Sequence, residues 1–344
     1  MNQTADNLAP NSLFGFLIAR EPFIFWGPQW PGMKDGAAPL IAAKVGNRRA
    51  YFLIRTIWTR ETRRAAEETA ASFKALRDQF PEHRHIVLCN TRGEVALLEG
   101  VGVPAILCST LAFVDETQFD ILPNEPKQYD AVYNAALVPF KRHNLCIGIP
   151  SLALLYHRYH PTRMTEPGYE GRLRALLPQA IFANELDGAY RMFQPPEVAQ
   201  WLNRAHVGLC LSEAEGAMRA AVEYLLCGLP IVSTPSIGGR DRVLDPAWSR
   251  VVDPTPGAIA NAVADLIRRN LDPLRIRAGA FDRLRPDRIR LLNLIHTIYQ
   301  QEGVPFPADA PWTQLFRRGT WPWQTVAQVF ERPAIAELDP ATAA

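Results

Sequence analysis

Two carboxylates, Glu215 and Glu223, stand eight positions apart in the run L-S-E-A-E-G-A-M-R-A-A-V-E-Y-L-L-C-G-L-P-I-V-S-T at 211–234. Along a helix that separation is roughly 12 Å of rise and about 80° of rotation, so both can face one elongated ligand. Between them the N–H groups of Gly216, Ala217 and Met218 fall at a helix start, where unpaired amides and the positive helix end favour phosphate oxygens. A carboxylate before that terminus and another two turns along would each accept hydroxyl protons. The ligand so described carries a polyol, a diphosphate and a second polyol, as a nucleotide sugar does. The plainer alternative is a buried crossover helix with two solvated glutamates.

The flanking residues are what must hold these groups in place. Residues 207–211 form a short apolar run suited to a strand covered on both faces, and 212–216 supply a polar turn at its carboxyl end. Met218, Ala221, Val222 and Leu225 then make one apolar helical stripe, which Gly228 and Pro230 terminate. Residues 230–234 resume as a strand. The unit is a parallel strand–helix–strand crossover with its loop at a strand carboxyl end, where open α/β sheets bind ligands.

This stretch resembles the donor-binding signature of retaining GT-B-fold glycosyltransferases, the group 1 or family 4-like enzymes with two glutamates separated by seven residues. The resemblance puts Glu215 against the donor sugar and Glu223 on the nucleotide ribose. Gly228-Leu229-Pro230-Ile231-Val232 is similar to the family's G-x-P-V-V strand, and Gly238-Gly239 to its double-glycine loop. Residues 129–141 resemble the first strand of the C-terminal domain and the G-R-L-x-x-x-K loop after it. The lysine aligns as Lys141, a point charge suited to phosphate. Ala135 and Ala136 replace the family's glycine and arginine, which leaves Arg142 or Arg240 as alternative diphosphate contacts. Ala217-Met218-Arg219 stands where the family has Phe-Gly-Leu.

The resemblance implies transfer of a sugar, with retention of configuration, from a nucleotide diphosphate sugar to a glycan, lipid or small-molecule acceptor. No cofactor is implied. Asp115 and Glu116, after a strand of the first domain, are candidates for orienting an acceptor hydroxyl, or else a solvated acidic pair. Ser109, Thr110 and Leu111 occupy the loop where family members often place a histidine. Two other readings stay open: a non-catalytic nucleotide-sugar-binding or scaffold protein, and a nucleotide-sugar epimerase or hydrolase on the same fold.

Composition sets wider bounds. A chain of 344 residues, 48% hydrophobic, can bury two cores. The net charge of +2 gives no argument for a polyanion. Arginines over 268–290 alternate with Asp272, Asp282 and Asp287 as on a solvated helix face, so nucleic acid is not an expected partner. Cys89, Cys108, Cys146, Cys210 and Cys227 form no C-x-x-C pair and fit reduced core residues of a cytoplasmic protein. His157 and His160 lack acidic or cysteine partners and read as surface or packing residues, and no D-x-D motif of the metal–diphosphate kind is present, so metal-independent chemistry is expected. The apolar patch 13–19 lacks a basic start and is too short to span a bilayer. Peripheral contact at the inner membrane face stays open.

The expected fold class is α/β: GT-B, with two Rossmann-like domains whose parallel sheets face across a cleft. The first domain is 1–125, with strands at 50–54, 85–89 and 104–108 and helices at 60–79 and 93–98. The second is 126–303, with strands near 131 and at 151–156, 180–184, 207–211 and 230–233. Residues 22–47, rich in Pro, Gly and Trp, read as neither strand nor helix. The tail 304–344 carries Trp312, Phe316, Trp321, Trp323 and Phe330, which should pack back on the first domain, and its last five residues should fray.

Overall fold

A computed structural model describes residues 13–28, 37–158, 166–186, 188–317 and 323–339. His160, Trp321, the middle of the 22–47 segment and the last five residues lie outside these. The chain divides into two compact units: one joins the described residues up to Val114 with those from Arg285 onward, and the other is Asp115–Leu284.

In the first unit the strands are β1 (Leu13–Phe14), β2 (Phe16–Ala19), β3 (Ile24–Pro28), β4 (Ala50–Arg55), β5 (His83–Cys89) and β6 (Ala105–Leu107). The helices between them are α1 (Ala37–Val45), α2 (Arg63–Gln79) and α3 (Arg92–Glu99). Residues 22–47 therefore contain a strand and a helix, contrary to the irregular segment expected. Ile24, Phe25 and Trp26 are all fully buried, but the run is short and ends in Gly27-Pro28, which reads as loop.

The sheet order is β2-β3-β4-β5-β6, parallel except for β2. Successive crossovers step in one direction, which puts their helices on one face. Phe25, Phe52, Ile54 and Val87 accordingly pack with Ile41 of α1, Ala66 and Phe73 of α2 and Leu98 of α3. The alternate residues, Trp26, Tyr51, Leu53 and Leu88, pack against Leu291, Ile295, Ile298, Leu315, Phe316 and Ile335 from the carboxyl-terminal part of the chain.

The second unit contains β7 (Tyr129–Asn134), β8 (Leu152–Leu155), α4 (Tyr169–Leu176), β9 (Ala180–Phe182), α5 (Pro195–Asn203) and β10 (Ala205–Cys210). It continues with α6 (Arg219–Leu226), β11 (Ile231–Ser233), β12 (Ser249–Val251) and α7 (Pro256–Arg269). Helix α8 (Pro273–Gln301) starts in this unit and ends in the first, with Pro286 beside the division. In the first unit β13 (Trp323–Gln324) pairs antiparallel with β1, and α9 (Val326–Glu331) follows.

These boundaries differ from 125/126 and 303/304. Leu122 N donates to Asn203 Oδ1 at 2.9 Å and Arg277 donates to the Phe119 carbonyl at 2.6 Å, which fastens 115–125 to the second unit. The arginines expected on a solvated face also differ. Arg277 is committed as above, Arg288 donates to Ala112 and Val114 carbonyls at 2.9 and 3.1 Å, and Arg290 donates to the Leu107 carbonyl at 2.7 Å. All five cysteines are free and buried. Among the described residues no helix is long and apolar enough to cross a membrane.

The second sheet is wholly parallel in the order β12-β11-β10-β7-β8-β9. From β7 the chain steps outward to β8 and β9, then returns through α5 to β10 on the other side of β7. That reversal is a topological switch point, and the crevice beyond the carboxyl ends of β7 and β10 is where such sheets bind ligands.

Gly208 of β10 makes room for the ring of Tyr224 on α6, since a Cβ there would fall 2.3 Å from the ring. Gly208→Ala should cost about 1–3 kcal/mol by overpacking, read from chemical denaturation. His143, fully buried against the Tyr133 and Tyr169 rings, has its pKa pushed down to about 3 by burial and by the Lys141 charge. The folded pKa lies below the unfolded one, so the unfolded chain takes up the proton first. Stability should therefore fall by about 1.4 kcal/mol per pH unit as pH drops from about 6.5 toward 3, a component that His143→Phe removes in urea titrations.

Candidate functional site

Three loops follow the carboxyl ends of the adjacent strands β7, β10 and β11, and almost every residue singled out in the second half of the sequence lies on them. Lys141 ends a 3-10 turn, Pro139–Lys141, whose carbonyl accepts the Tyr133 hydroxyl at 2.6 Å. Tyr133 is on β7 and fully buried, so the strand itself fixes where Lys141 begins. Glu215 is set by a parallel bridge between Ala214 and Ile237, with Glu215 N donating to the Ile237 carbonyl at 3.0 Å. Gly238 turns away with φ 114°, and a Cβ on it would sit 1.8 Å from the Glu215 carbonyl oxygen, so the close approach requires glycine. Gly239 N then donates to the Gly216 carbonyl at 2.9 Å.

The side chains meet as the loops suggest. Lys141 Nζ and Glu215 Oε1 form an ion pair with side chains 12% and 8% exposed, and the Ser212 hydroxyl donates to the same Oε1. On the other side, Asn134, the last residue of β7, donates from Nδ2 to Glu223 Oε2 at 3.1 Å. Its backbone N donates to the Tyr224 hydroxyl at 2.7 Å. Asn134, Ser212, Tyr133 and Tyr224 were not singled out from sequence. The available signal was a polar residue closing an apolar strand, as Asn134 closes β7 and Ser212 follows β10 and Leu211.

Helix α6 begins at Arg219, with Met218 as an N-cap that lacks a side-chain cap. Glu215 therefore stands outside the helix, and the helical rise between the glutamates does not apply. The loop and the bridge to Ile237 position Glu215 instead. The amides of Gly216, Ala217 and Met218 lie in the turn before α6 and find no acceptor among the described residues.

The two arginines offered as diphosphate contacts are placed as scaffold. Arg240 is 0% exposed and donates to the Ser212 carbonyl at 3.0 Å and to the Thr234 carbonyl. Arg142, in the left-handed region at φ 53°, donates to the Leu211 carbonyl at 2.6 Å and to Thr234 Oγ1 at 2.9 Å. Both guanidiniums tie the β10 and β11 loops together. His157, after β8, is half-buried, and burial and the Lys141 charge hold its imidazole below the ordinary pKa.

The acceptor-side candidates are engaged by their own neighbours. Asp115 is 4% exposed, and its Oδ1 accepts from Thr117 N at 3.0 Å and from the Thr117 hydroxyl at 2.7 Å, which folds it back on its own turn. The Glu116 carbonyl accepts from Arg277 at 3.4 Å. Both residues belong to the second unit, not the first. Ser109 and Thr110 are buried and gather on Asn90 Oδ1 at 3.0–3.2 Å. Among the described residues no three His, Cys, Asp or Glu side chains converge to hold a metal ion.

Residues 167–269 match the family model for glycosyl transferases group 1, a segment that includes Glu215, Glu223 and the Gly238-Gly239 loop. No curated protein matches the chain. Among solved structures the chain is similar to Anabaena Alr3699/HepE in complex with UDP-glucose, at 14% identity and a TM-score of 0.54, covering 75% of each chain. It is also similar to a glycosyltransferase from Rickettsia africae ESF-5, at 14% identity and a TM-score of 0.53, covering 86% of this chain and 77% of that one. A third is a mutant of S. aureus TarM in complex with fondaparinux, alpha-GlcNAc-glycerol and UDP, at 13% identity and 0.53, covering 76% and 54%. At these identities the likeness establishes the fold: two α/β units built on parallel sheets, in the GT-B class.

Proposed function

We propose that the protein is a metal-independent glycosyltransferase that moves a sugar from a nucleotide diphosphate sugar to a glycan, lipid or small-molecule acceptor, with retention of configuration. The observation that carries this reading is the gathering of Lys141, Glu215, Ser212, Asn134 and Glu223 beyond the carboxyl ends of β7 and β10. The group 1 match over 167–269 and the fold shared with proteins solved in complex with UDP-glucose and with UDP support it.

In this reading Glu223, held by Asn134, takes the ribose hydroxyls, and Glu215 takes hydroxyls of the donor sugar. The bond between the anomeric carbon and the β-phosphate oxygen breaks, and its electron pair stays with the diphosphate. The acceptor oxygen forms the new bond and its proton passes to the departing diphosphate oxygen, which gains charge as the old bond opens. Charge on the departing diphosphate grows as the bond opens, so Lys141 and the amides of Gly216, Ala217 and Met218 act most strongly in the transition state. Arg142 and Arg240 contribute by holding the loops rather than the phosphates. The five buried thiols fit a cytoplasmic, reducing location.

A second reading, a nucleotide-sugar-binding protein without turnover, draws on Ala136 together with the structural commitment of both nearby arginines. Turnover separates the two.

Thermal unfolding against UDP, GDP, ADP, dTDP and CMP and their common sugar conjugates tests the site. One base should raise the midpoint in wild type, by about 2.7 kcal/mol of stabilisation at a hundred times Kd, and fail to do so in Glu223→Ala. Lys141→Ala should reduce turnover roughly a hundredfold or more, and Glu223→Gln should chiefly raise KM. No shift with any ligand, or transfer undiminished in both variants, would discard the assignment.

A further inference from the structure

The cation that a diphosphate would need is already engaged. Lys141 Nζ faces Glu215 Oε1 with both side chains almost buried, and the Ser212 hydroxyl donates to that same oxygen. Neither backbone is free to withdraw: the Lys141 carbonyl is held by Tyr133, and Glu215 is held in the bridge to Ile237. Separation of the pair therefore falls to the side chains.

Building on the donor-site reading, we propose that Glu215 competes internally for Lys141, so that the site holds a nucleoside diphosphate firmly only while a sugar is attached to it. An intact donor offers Lys141 an anion and Glu215 a set of hydroxyl donors together. Both members of the pair then exchange partners, and no carboxylate is left buried without one. A free nucleoside diphosphate offers only the anion. It would take the cation from Glu215 and leave that carboxylate beside another negative charge in a poorly solvated place. The exchange runs backward after transfer: the sugar hydroxyls depart, Glu215 recaptures Lys141, and the diphosphate loses its counter-charge. Glu215 thereby selects conjugate over free nucleotide and speeds product release.

Calorimetric titration of wild type, Glu215→Gln and Ser212→Ala with UDP, GDP and ADP, and with UDP-glucose, GDP-mannose and ADP-glucose, tests this. Glutamine keeps the shape and removes the charge, so Glu215→Gln should bind the free diphosphate about tenfold tighter and lose the preference for the conjugate. Ser212→Ala leaves Glu215 more dependent on Lys141 and should weaken free-diphosphate binding about threefold. Unchanged or weaker binding of the free diphosphate by a Glu215→Gln protein that melts like wild type overturns the proposal and leaves the donor-site reading intact. If Glu215→Gln does not fold, Ser212→Ala decides: weaker binding supports the competition, and unchanged binding overturns it. If neither wild type nor variants bind any of the six ligands, the donor-site reading fails and the competition fails with it.

Discussion

A fully buried guanidinium sets the geometry of the candidate site. Arg240 has no solvent to return to, and a charge in that position needs carbonyl dipoles and a counter-charge, here the Asp241 carboxylate at 3.8 Å. It reaches the carbonyls of Ser212 and Thr234, at the mouths of the β10 and β11 loops. Arg142 adds a second tie from the β7 loop to Leu211 and Thr234. Three loops from three neighbouring strands thus become one structural piece, with Ser212, Glu215 and Lys141 on it. Charge placed in the scaffold gives the loops definite positions without a ligand present.

The strand order supplies the other half of the arrangement. Because β7 and β10 are neighbours although a whole outward excursion through β8 and β9 separates them in sequence, their carboxyl-end loops diverge around a crevice. Asn134 and Tyr224 hold the second side of that crevice through one side-chain contact and one backbone contact. Gly208 leaves the room on β10 that the Tyr224 ring fills.

Much of this was legible in the sequence. The apolar runs that became β4, β5, β7, β10 and β11 were bounded by glycine, proline or polar turns, and the spacing around Glu215 and Glu223 marked the crossover. The start of α6 was harder, because 216–218 contain no Ser, Thr, Asp or Asn to cap it. Arg240 was read as a ligand because arginine in a glycine loop is ordinarily exposed, and local sequence carries no sign of the carbonyls that enclose it. The surroundings of Asp115 were hidden for a similar reason: only the turn geometry shows that Thr117 donates to its Oδ1. β3 escaped notice because its short apolar run ends in Gly27-Pro28, inside a segment whose prolines and glycines read as loop.

The second face of the first unit's sheet has a bearing on how the chain comes off the ribosome. Trp26, Leu53 and Leu88 are translated early, yet the residues that cover them, Leu291, Ile295 and Phe316, arrive only after the entire second unit has been made. Arg290 closes on Leu107 across 183 positions of chain. The inserted unit can therefore complete its fold while the first remains an open-faced sheet with aromatic surface in water, exposed to chaperones and to self-association until the chain is nearly finished. Truncation beyond Leu284 would strike this first-made unit rather than the one that carries the candidate site.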